Sequence, residues 1–510
     1  MMRLPKFIIG GSYYGIVIFL LGLLIACPLL ILPFYPEEAQ FAPAFLLPSL
    51  FSIVLGLLIC VIRPYQPSTA HGWQSLVQKG SGPVLFVWLY AFIMGAVPFL
   101  LTMDMGFTLS LFESVSGWTT TGLTVVDVSK LPHILLLHRS FMQYCGGLGF
   151  VILIAVISQR QAAMSLYNAE GHPDMLRPSL RGTAKIIARI YISSLFIGTA
   201  IYAVLGMPVF DALCHTMSAV STAGFSTNKA SIAAYSSSAI DIFTIVLMLI
   251  GASNFYLIML VVRGKIREAL RETEVRFMLG ITLSFSFLAA IGLYLESAGR
   301  SLPNCLLNAV FGVVTTFTTT GYTLEDYSRW PAFSLGLLML LMVIGGSAGS
   351  TAGGIKLIRA ALILKITLIN MRKRLKPERA VLASNYTKHR TVLPITAKLC
   401  ENTFGFITVY LLVLFAGILG VTLTSNCPIG VAAFEFTSAL GTVGLSCGLT
   451  NASTASATLY IEMIGMVLGR LEILMVIVGL MTTGKSVFTR ISSLLEAYKK
   501  EKKYKPIPKV

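Results

Sequence analysis

TTTGLT fills residues 119–124 of this 510-residue chain, and TTTGYT fills residues 318–323. Two looser relatives follow the same plan, STAGFST at 221–227 and TVGLS at 442–446. In each, small or hydroxyl-bearing residues run into a glycine: Gly122, Gly224, Gly321 and Gly444. The glycines lie 102, 97 and 123 positions apart. That reads as a quarter repeat, and its meaning depends on the solvent around it.

Composition identifies the solvent. Hydrophobic residues make up 55% of the chain and charged residues 12%, about half the charge of an ordinary soluble protein. Mean hydropathy is +0.79. Apolar runs near the length of about 20 residues that a helix needs to cross a bilayer occur at 12–34, 43–62, 84–103, 189–205, 240–262 and 404–424, with a shorter one at 333–344. The chain reads as a polytopic α-helical membrane protein in contact with the lipid bilayer. The first run is too long for a cleaved signal and lacks a small-residue cleavage site, so it reads as a span.

A net charge of +17 suggests nucleic acid, but the distribution of basic residues argues for topology instead. They fall in RLPK near the start, Arg63, Lys79, the stretch from Arg160 to Arg189, 263–276, 371–379 and the C-terminal tail. The alternate connections carry Glu37, Glu38, Asp104, Asp127, Glu325 and Asp326. This is the positive-inside pattern; it predicts cytoplasmic termini and no nucleic-acid partner. The eight cysteines are scattered without metal spacing and read as small core residues.

Two spans stand apart at the start, and then a unit recurs: a full span, a segment of about a dozen residues, the glycine motif and a second span. The expected divisions are an accessory pair over 1–75 and four units over 76–183, 184–270, 271–385 and 386–510. The short segments are 106–118, 208–220, 303–315 and 428–440, three of them opening on proline. At 1.5 Å per residue each helix reaches about 20 Å, too short to cross. It must enter and turn back. Non-helical backbone inside a bilayer is tolerated only where protein buries it or a water-filled cavity lines it.

Four such turns can converge on one axis with carbonyls inward, as rings of carbonyls do when they replace the hydration shell of potassium. Glycine supplies the backbone freedom, and the negative end of each short helix favours a cation. The predicted potassium-binding positions are Thr120, Thr121 and Gly122; Thr222, Ala223 and Gly224; Thr319, Thr320 and Gly321; and Thr442, Val443 and Gly444.

The stretches ESVSGWTTTGLT (113–124), MSAVSTAGFST (217–227), TTFTTTGYTLEDYSRWP (315–331), GGSAGSTAGGIKLIRA (345–360) and GRLEI (469–473) carry a family likeness. Through them the chain resembles, over nearly its whole length, the Trk/Ktr/HKT superfamily of potassium transporters. It is most like the Trk-type membrane pore subunit. The two extra N-terminal spans resemble the Trk branch; SALGTVGLSCGLT (438–450) is more like Ktr or archaeal sequences. Ala223 stands where many relatives carry glycine, a departure of small consequence if the carbonyl coordinates. In plant relatives serine at the first filter glycine accompanies sodium preference, so Gly122 favours potassium. The resemblance implies a homodimer with one pore per protomer in a bacterial or archaeal plasma membrane. It also implies a separate cytosolic nucleotide-binding ring that opens the pore, so that any nucleotide is bound by the partner and this chain carries no cofactor.

Two features read as a gate. The apolar run from Phe333 breaks into Gly345, Gly346, Ser347, Ala348, Gly349, Ser350, Thr351, Ala352, Gly353 and Gly354. The break begins about 18 Å along its span, under the filter, where a loop could obstruct the pore. The alternative is a small-residue packing surface. Arg470 lies about 18 Å into the last span, where a charge faces a cavity or a partner. It would repel a permeating cation or hold the loop by its carbonyls; the alternative is a salt bridge with Glu472 or Glu462. Glu113 and Glu435 either concentrate cations or brace the filter backbone. His215 reads as a packing group, and His133 and His138 as interface residues. No enzyme motif is present, and GGSAGSTAGGIK lacks the ending of a phosphate-binding loop.

The expected fold is therefore an all-α polytopic membrane protein with four pseudo-symmetric helix–pore helix–helix repeats around one pore, plus two N-terminal accessory helices. The expected function is potassium uptake through the carbonyl filter. Secondary transport coupled to protons or sodium is the alternative, disfavoured by the few carboxylates in the spans.

Overall fold

Backbone in hydrocarbon must satisfy its own hydrogen bonds, so apolar runs of this length become helices. The computed structural model describes residues 13–62, 73–149, 179–296, 301–375 and 385–481. RLPK, Arg63, most of the 160–189 stretch, residues 376–379 and the basic C-terminal tail lie outside them. Six described helices are long and apolar enough to cross a membrane, and two bent pairs pass the same test together.

Helices α1 (Tyr13–Ala26) and α2 (Ala42–Ile62) form the accessory pair. They pack on glycine: a Cβ on Gly56 would lie 2.5 Å from the Phe19 nitrogen and 2.7 Å from the Gly15 carbonyl. Small residues allow this approach where lipid offers no hydrophobic drive.

A long helix, a short helix and a third helix then follow in order four times. The first set is α3 (Trp73–Thr102), α4 (Phe107–Trp118) and α5 (His133–Leu148). The second is α6 (Leu180–Val204), α7 (Val209–Val220) and a bent pair, α8 (Ser238–Ala252) with α9 (Phe255–Val262). After the short α10 (Ile266–Ala269), the third is α11 (Thr273–Glu296), α12 (Leu302–Phe317), α13 (Ala332–Ile344) and α14 (Leu357–Arg374). The fourth is α15 (Ala397–Ser425), α16 (Ile429–Gly441) and the bent pair α17 (Ser456–Arg470) with α18 (Ile473–Met481). The short helices have 12, 12, 16 and 13 residues, about 18 to 24 Å and less than a hydrocarbon core.

Two spans read as continuous are broken. The 240–262 run bends by 116° between α8 and α9. Ser253 and Asn254 are extended there, and the Asn254 side chain caps α9 by accepting from the Tyr256 amide. The last span bends by 102°, with Glu472 at φ +56°. Arg470 thus closes a helix at an elbow and does not sit within a straight span. Between α14 and α15 an antiparallel hairpin, β1 (Asn385–Lys388) and β2 (Thr391–Pro394), interrupts the all-helical plan.

Burial is inverted relative to a soluble protein. Phe196, Leu283 and Leu412 are 70%, 73% and 64% exposed, whereas Glu113, Arg139, Gln143 and Glu435 are at most 1% exposed. Apolar side chains face outward because lipid is their solvent, and the polar ones gather where the four short helices end.

Candidate functional site

Each short helix ends in the same hydrogen-bonded turn. The amides of Thr121, Ala223, Thr320 and Val443 donate to the carbonyls of Ser116, Ser218, Thr315 and Ser438 at 2.9–3.0 Å. Those of Thr120, Thr222, Thr319 and Thr442 donate to Gly117, Ala219, Thr316 and Ala439 at 3.1–3.2 Å. These paired bonds make the Schellman ending, which requires a left-handed residue and normally uses glycine. Here threonine takes that place four times, at φ +56°, +50°, +55° and +51°. That conformation costs a β-branched residue about 1–2 kcal/mol, and strain repeated in register makes these turns the candidate site.

Two residues on, Gly122, Gly224, Gly321 and Gly444 have φ +89°, +77°, +83° and +90°. A Cβ on Gly122 would overlap the Ala223 carbonyl oxygen. On Gly224 it would overlap that of Thr320, on Gly321 that of Val443, and on Gly444 that of Thr121. Each turn therefore presses on the next and the fourth returns to the first. Eight of the twelve residues expected to act together make these contacts, and the other four are the left-handed threonines one or two positions before them.

The ring is buttressed by polar groups from the short helices. Glu113 accepts from Thr124 Oγ1 at 2.6 Å and the Val125 amide at 2.7 Å. Asp211 accepts from Thr227 Oγ1 at 2.8 Å and Tyr235 Oη at 2.9 Å. Asn308 donates to Glu325 at 2.5 Å. Glu435 accepts from Ser446 Oγ, the Cys447 and Leu449 amides and Thr450 Oγ1 at 2.7–3.1 Å. Each pins the segment after its own glycine, so Glu113 and Glu435 brace backbone and do not face open water. His215 is buried against Asp211 O and Ser226 Oγ, a packing role as expected. His138 is not at an interface: it is 1% exposed, its Nε2 lying 3.1 Å from the Gly95 carbonyl. His133, 2.9 Å from Glu38, ties α5 to the accessory pair.

Two functional candidates on α5 escaped the sequence reading. Arg139 donates to Glu113 at 3.1 Å, to Thr124 Oγ1 at 3.0 Å and to the Ser226 carbonyl at 3.3 Å, and stacks 3.8 Å over Phe225. Gln143 reaches the Ala223 carbonyl at 2.7 Å. The polar interruptions in HRSFMQY (138–144) were the available signal.

On the face of the ring where the glycines and following segments open, a cavity of about 390 Å³ is lined by Gly122, Gly224, Gly321, Asp127, Arg139 and Asn451 among others. Asp127 accepts from the side chain and amide of Ser129, bonds that hold its carboxyl below the usual range.

The loop between α13 and α14 lies on the opposite face, against the left-handed threonines. Thr351 Oγ1 is 3.0 Å from Thr222 Oγ1, and the Gly353 amide donates to Thr319 Oγ1 at 2.9 Å. A Cβ on Gly353 would overlap Thr442 Oγ1. Arg470 donates to the Thr351 carbonyl at 2.6 Å and to the Gly146 and Gly147 carbonyls at 2.5 and 2.9 Å. Asn254 donates to the Ala348 carbonyl at 2.7 Å, and the Ala348 amide donates to Glu274 at 3.2 Å. Both elbows therefore hold the loop. Glu472 pairs with Arg359 at 3.2 Å. Lys356 donates to the Ala352 carbonyl. Asn254 and Glu274 were not anticipated; an asparagine inside the apolar 240–262 run was the clue.

The family model described as TrkH, cation transport protein, matches residues 68–487. The Trk system potassium uptake protein TrkH of Halomonas elongata is 31% identical over 445 residues, 84% of this chain and 90% of its own. An uncharacterized cation transporter of Methanocaldococcus jannaschii is 29% identical over 483 residues, 93% of this chain and 96% of its own. The crystal structure of the potassium transporter TrkH from Vibrio parahaemolyticus superposes with a TM-score of 0.80 at 26% identity, covering 93% of this chain and 98% of that one.

Proposed function

This chain belongs to the TrkH family of cation transport proteins, and we propose that it takes up potassium across the cell membrane through the ring of turns. It is a multi-pass membrane protein of a transport family, not an enzyme family. The observation that carries the reading is ring closure: Gly122, Gly224, Gly321 and Gly444 each abut the carbonyl of the next turn. A cation passing the axis exchanges water for carbonyl oxygens already oriented by the four helix endings, and the negative helix ends add to the attraction.

In this reading the 345–354 loop is the gate and Arg470 its clamp. The guanidinium contributes in two ways: a positive charge on the cytoplasmic side of the filter, and hydrogen bonds that keep Thr351 under it. Potassium is cargo, and the chain needs no cofactor of its own. A homodimer, cytoplasmic termini and a cytosolic nucleotide-binding ring that releases the loop complete the proposal. They rest on the motif resemblance and the basic connections.

Coupled transport is the second reading, favoured by one observation. The carboxylates of Glu435 and Glu462, both fully buried, share the Thr450 hydroxyl at 3.0–3.2 Å. A buried carboxylate pair is the equipment a proton-coupled carrier uses. Purified protein in liposomes, with imposed voltage and clamped pH, separates the two. Voltage-driven potassium flux without a pH or sodium gradient, lost in selectivity by Gly122→Ser, supports the filter channel. Flux that requires the gradient overturns it in favour of coupling.

A further inference from the structure

We propose that Gln143 is a positioning residue for ion selectivity: its amide sets the Ala223 carbonyl in the ring. The inference rests on the filter reading above and deepens it.

Gln143 lies on α5 of the first repeat, with 0% exposure, yet all three of its partners belong to the second repeat. Its Nε2 donates to the Ala223 carbonyl at 2.7 Å. Its Oε1 accepts from Ser218 Oγ at 2.5 Å and from the Phe225 amide at 3.2 Å. The orientation of the amide follows from chemistry. A backbone N–H can only donate, so the oxygen faces Phe225 and the NH2 group is left for the Ala223 oxygen. One side chain thus joins the end of α7, the ring residue and the segment after Gly224. That carbonyl is also the one that Gly122 abuts.

The repeat shows how unusual this is. A Cβ on Gly146, Gly251 or Gly469 would press on the carbonyl of Trp118, Val220 or Leu440 respectively, at or next to the last residue of the short helices. The three glycines are therefore quasi-equivalent positions. Three residues before them stand Gln143, Met248 and Met466, and three before Gly345, at the end of α13, stands Met342. All three methionines are fully buried. Methionine has no N–H to give, so only the first repeat can donate to a ring carbonyl from this position.

A donated hydrogen bond restrains an oxygen that a smaller ion would otherwise draw inward, and it withdraws some of its electron density. Both effects oppose collapse of the ring onto sodium. The ligands concerned are the monovalent alkali cations.

The test uses the full-length protein purified in detergent, with thermal melting titrated by KCl and by NaCl at equal ionic strength. This readout does not require an open gate. Wild type is expected to melt higher in KCl, and Gly122→Ser to lose the difference. Gln143→Met, which installs the residue of the other three repeats, is expected to reduce the ratio of potassium to sodium affinity by about tenfold, the loss of one buried hydrogen bond. A Gln143→Met protein that keeps the wild-type ratio while Gly122→Ser loses it overturns the inference and leaves the filter reading standing. Equal melting of wild type in both salts overturns the filter reading, and the inference with it. If Gln143→Met does not fold, Gln143→Glu serves in its place. It is isosteric and still accepts from Ser218 and Phe225, and the same fall in ratio is expected; an unchanged ratio overturns the proposal.

Discussion

Arg470 reaches across 119 positions of sequence to donate a 2.6 Å hydrogen bond to the Thr351 carbonyl, and Thr351 in turn touches Thr222. A helix elbow, the loop and the ring are thereby connected through two contacts. The arginine spends its donors on backbone carbonyls of two repeats, which have no side chain to mutate; its own substitution is the way to test the link.

Arg470→Ala is expected to raise basal potassium flux in liposomes by about tenfold or more, since a hydrogen bond from a charged donor contributes about 1.5–3 kcal/mol. Arg470→Lys keeps the charge but cannot span Thr351, Gly146 and Gly147 together, so it should leak to an intermediate degree. A silent Arg470→Ala protein of normal stability would remove the clamp from the proposed mechanism.

Glycine substitutions separate ring geometry from general helix effects. Gly224→Ala places a methyl group on the Thr320 oxygen in a left-handed conformation, and potassium selectivity should fall to near parity with sodium. Gly336→Ala, inside α13 with open space around it, should leave selectivity intact and stabilise by about 0.5–1 kcal/mol. Flux ratios and melting curves of the two variants check both halves.

The buried pair of Arg139 and Glu113, 3.1 Å apart, should respond asymmetrically. Removing the arginine alone strands a carboxylate and is expected to cost about 3–5 kcal/mol. The double substitution Arg139→Met with Glu113→Gln should recover part of that loss. Thermal melting of wild type, the two single variants and the double variant in detergent measures the coupling.

Asp127 at the mouth should act as a fixed negative charge over most of the pH range. Hydrogen bonds from Ser129 lower its pKa, so its ionised form persists down through the ordinary carboxylate range. Its charge is lost only as pH falls below that range. Asp127→Asn should raise the potassium concentration for half-maximal uptake about twofold at low salt, with little effect at 1 M ionic strength where the Debye length is about 3 Å. Identical half-saturation in the two proteins at low salt would count against a role in gathering cations.

How much of this could be read along the chain depends on whether the physics was local. The four short helices were legible because their limits are set by neighbours in sequence: an apolar stretch too short to cross, a proline at the start of three of them, and a glycine just past each end. The loop was legible for the same reason, since Gly345 to Gly354 cannot hold an exposed helix. Hydropathy failed at residues 253–254 and 471–472 because it averages over a window, and the groups freed by each bend find partners far away. Asn254 finds Ala348, and Arg359 finds Glu472.

From the sequence by itself came the membrane solvent, the order of long and short helices and the four glycine turns, because transfer free energy, helix length and backbone dihedral demands belong to short segments. Only the tertiary structure decided that Gly444 abuts Thr121 and so closes the ring, that Gln143 crosses from one repeat to brace the next, and that Arg470 ends at an elbow on the loop. Those relations depend on the distances between segments 80 or more residues apart. Such distances are set by packing among all four repeats, and no local pattern encodes them.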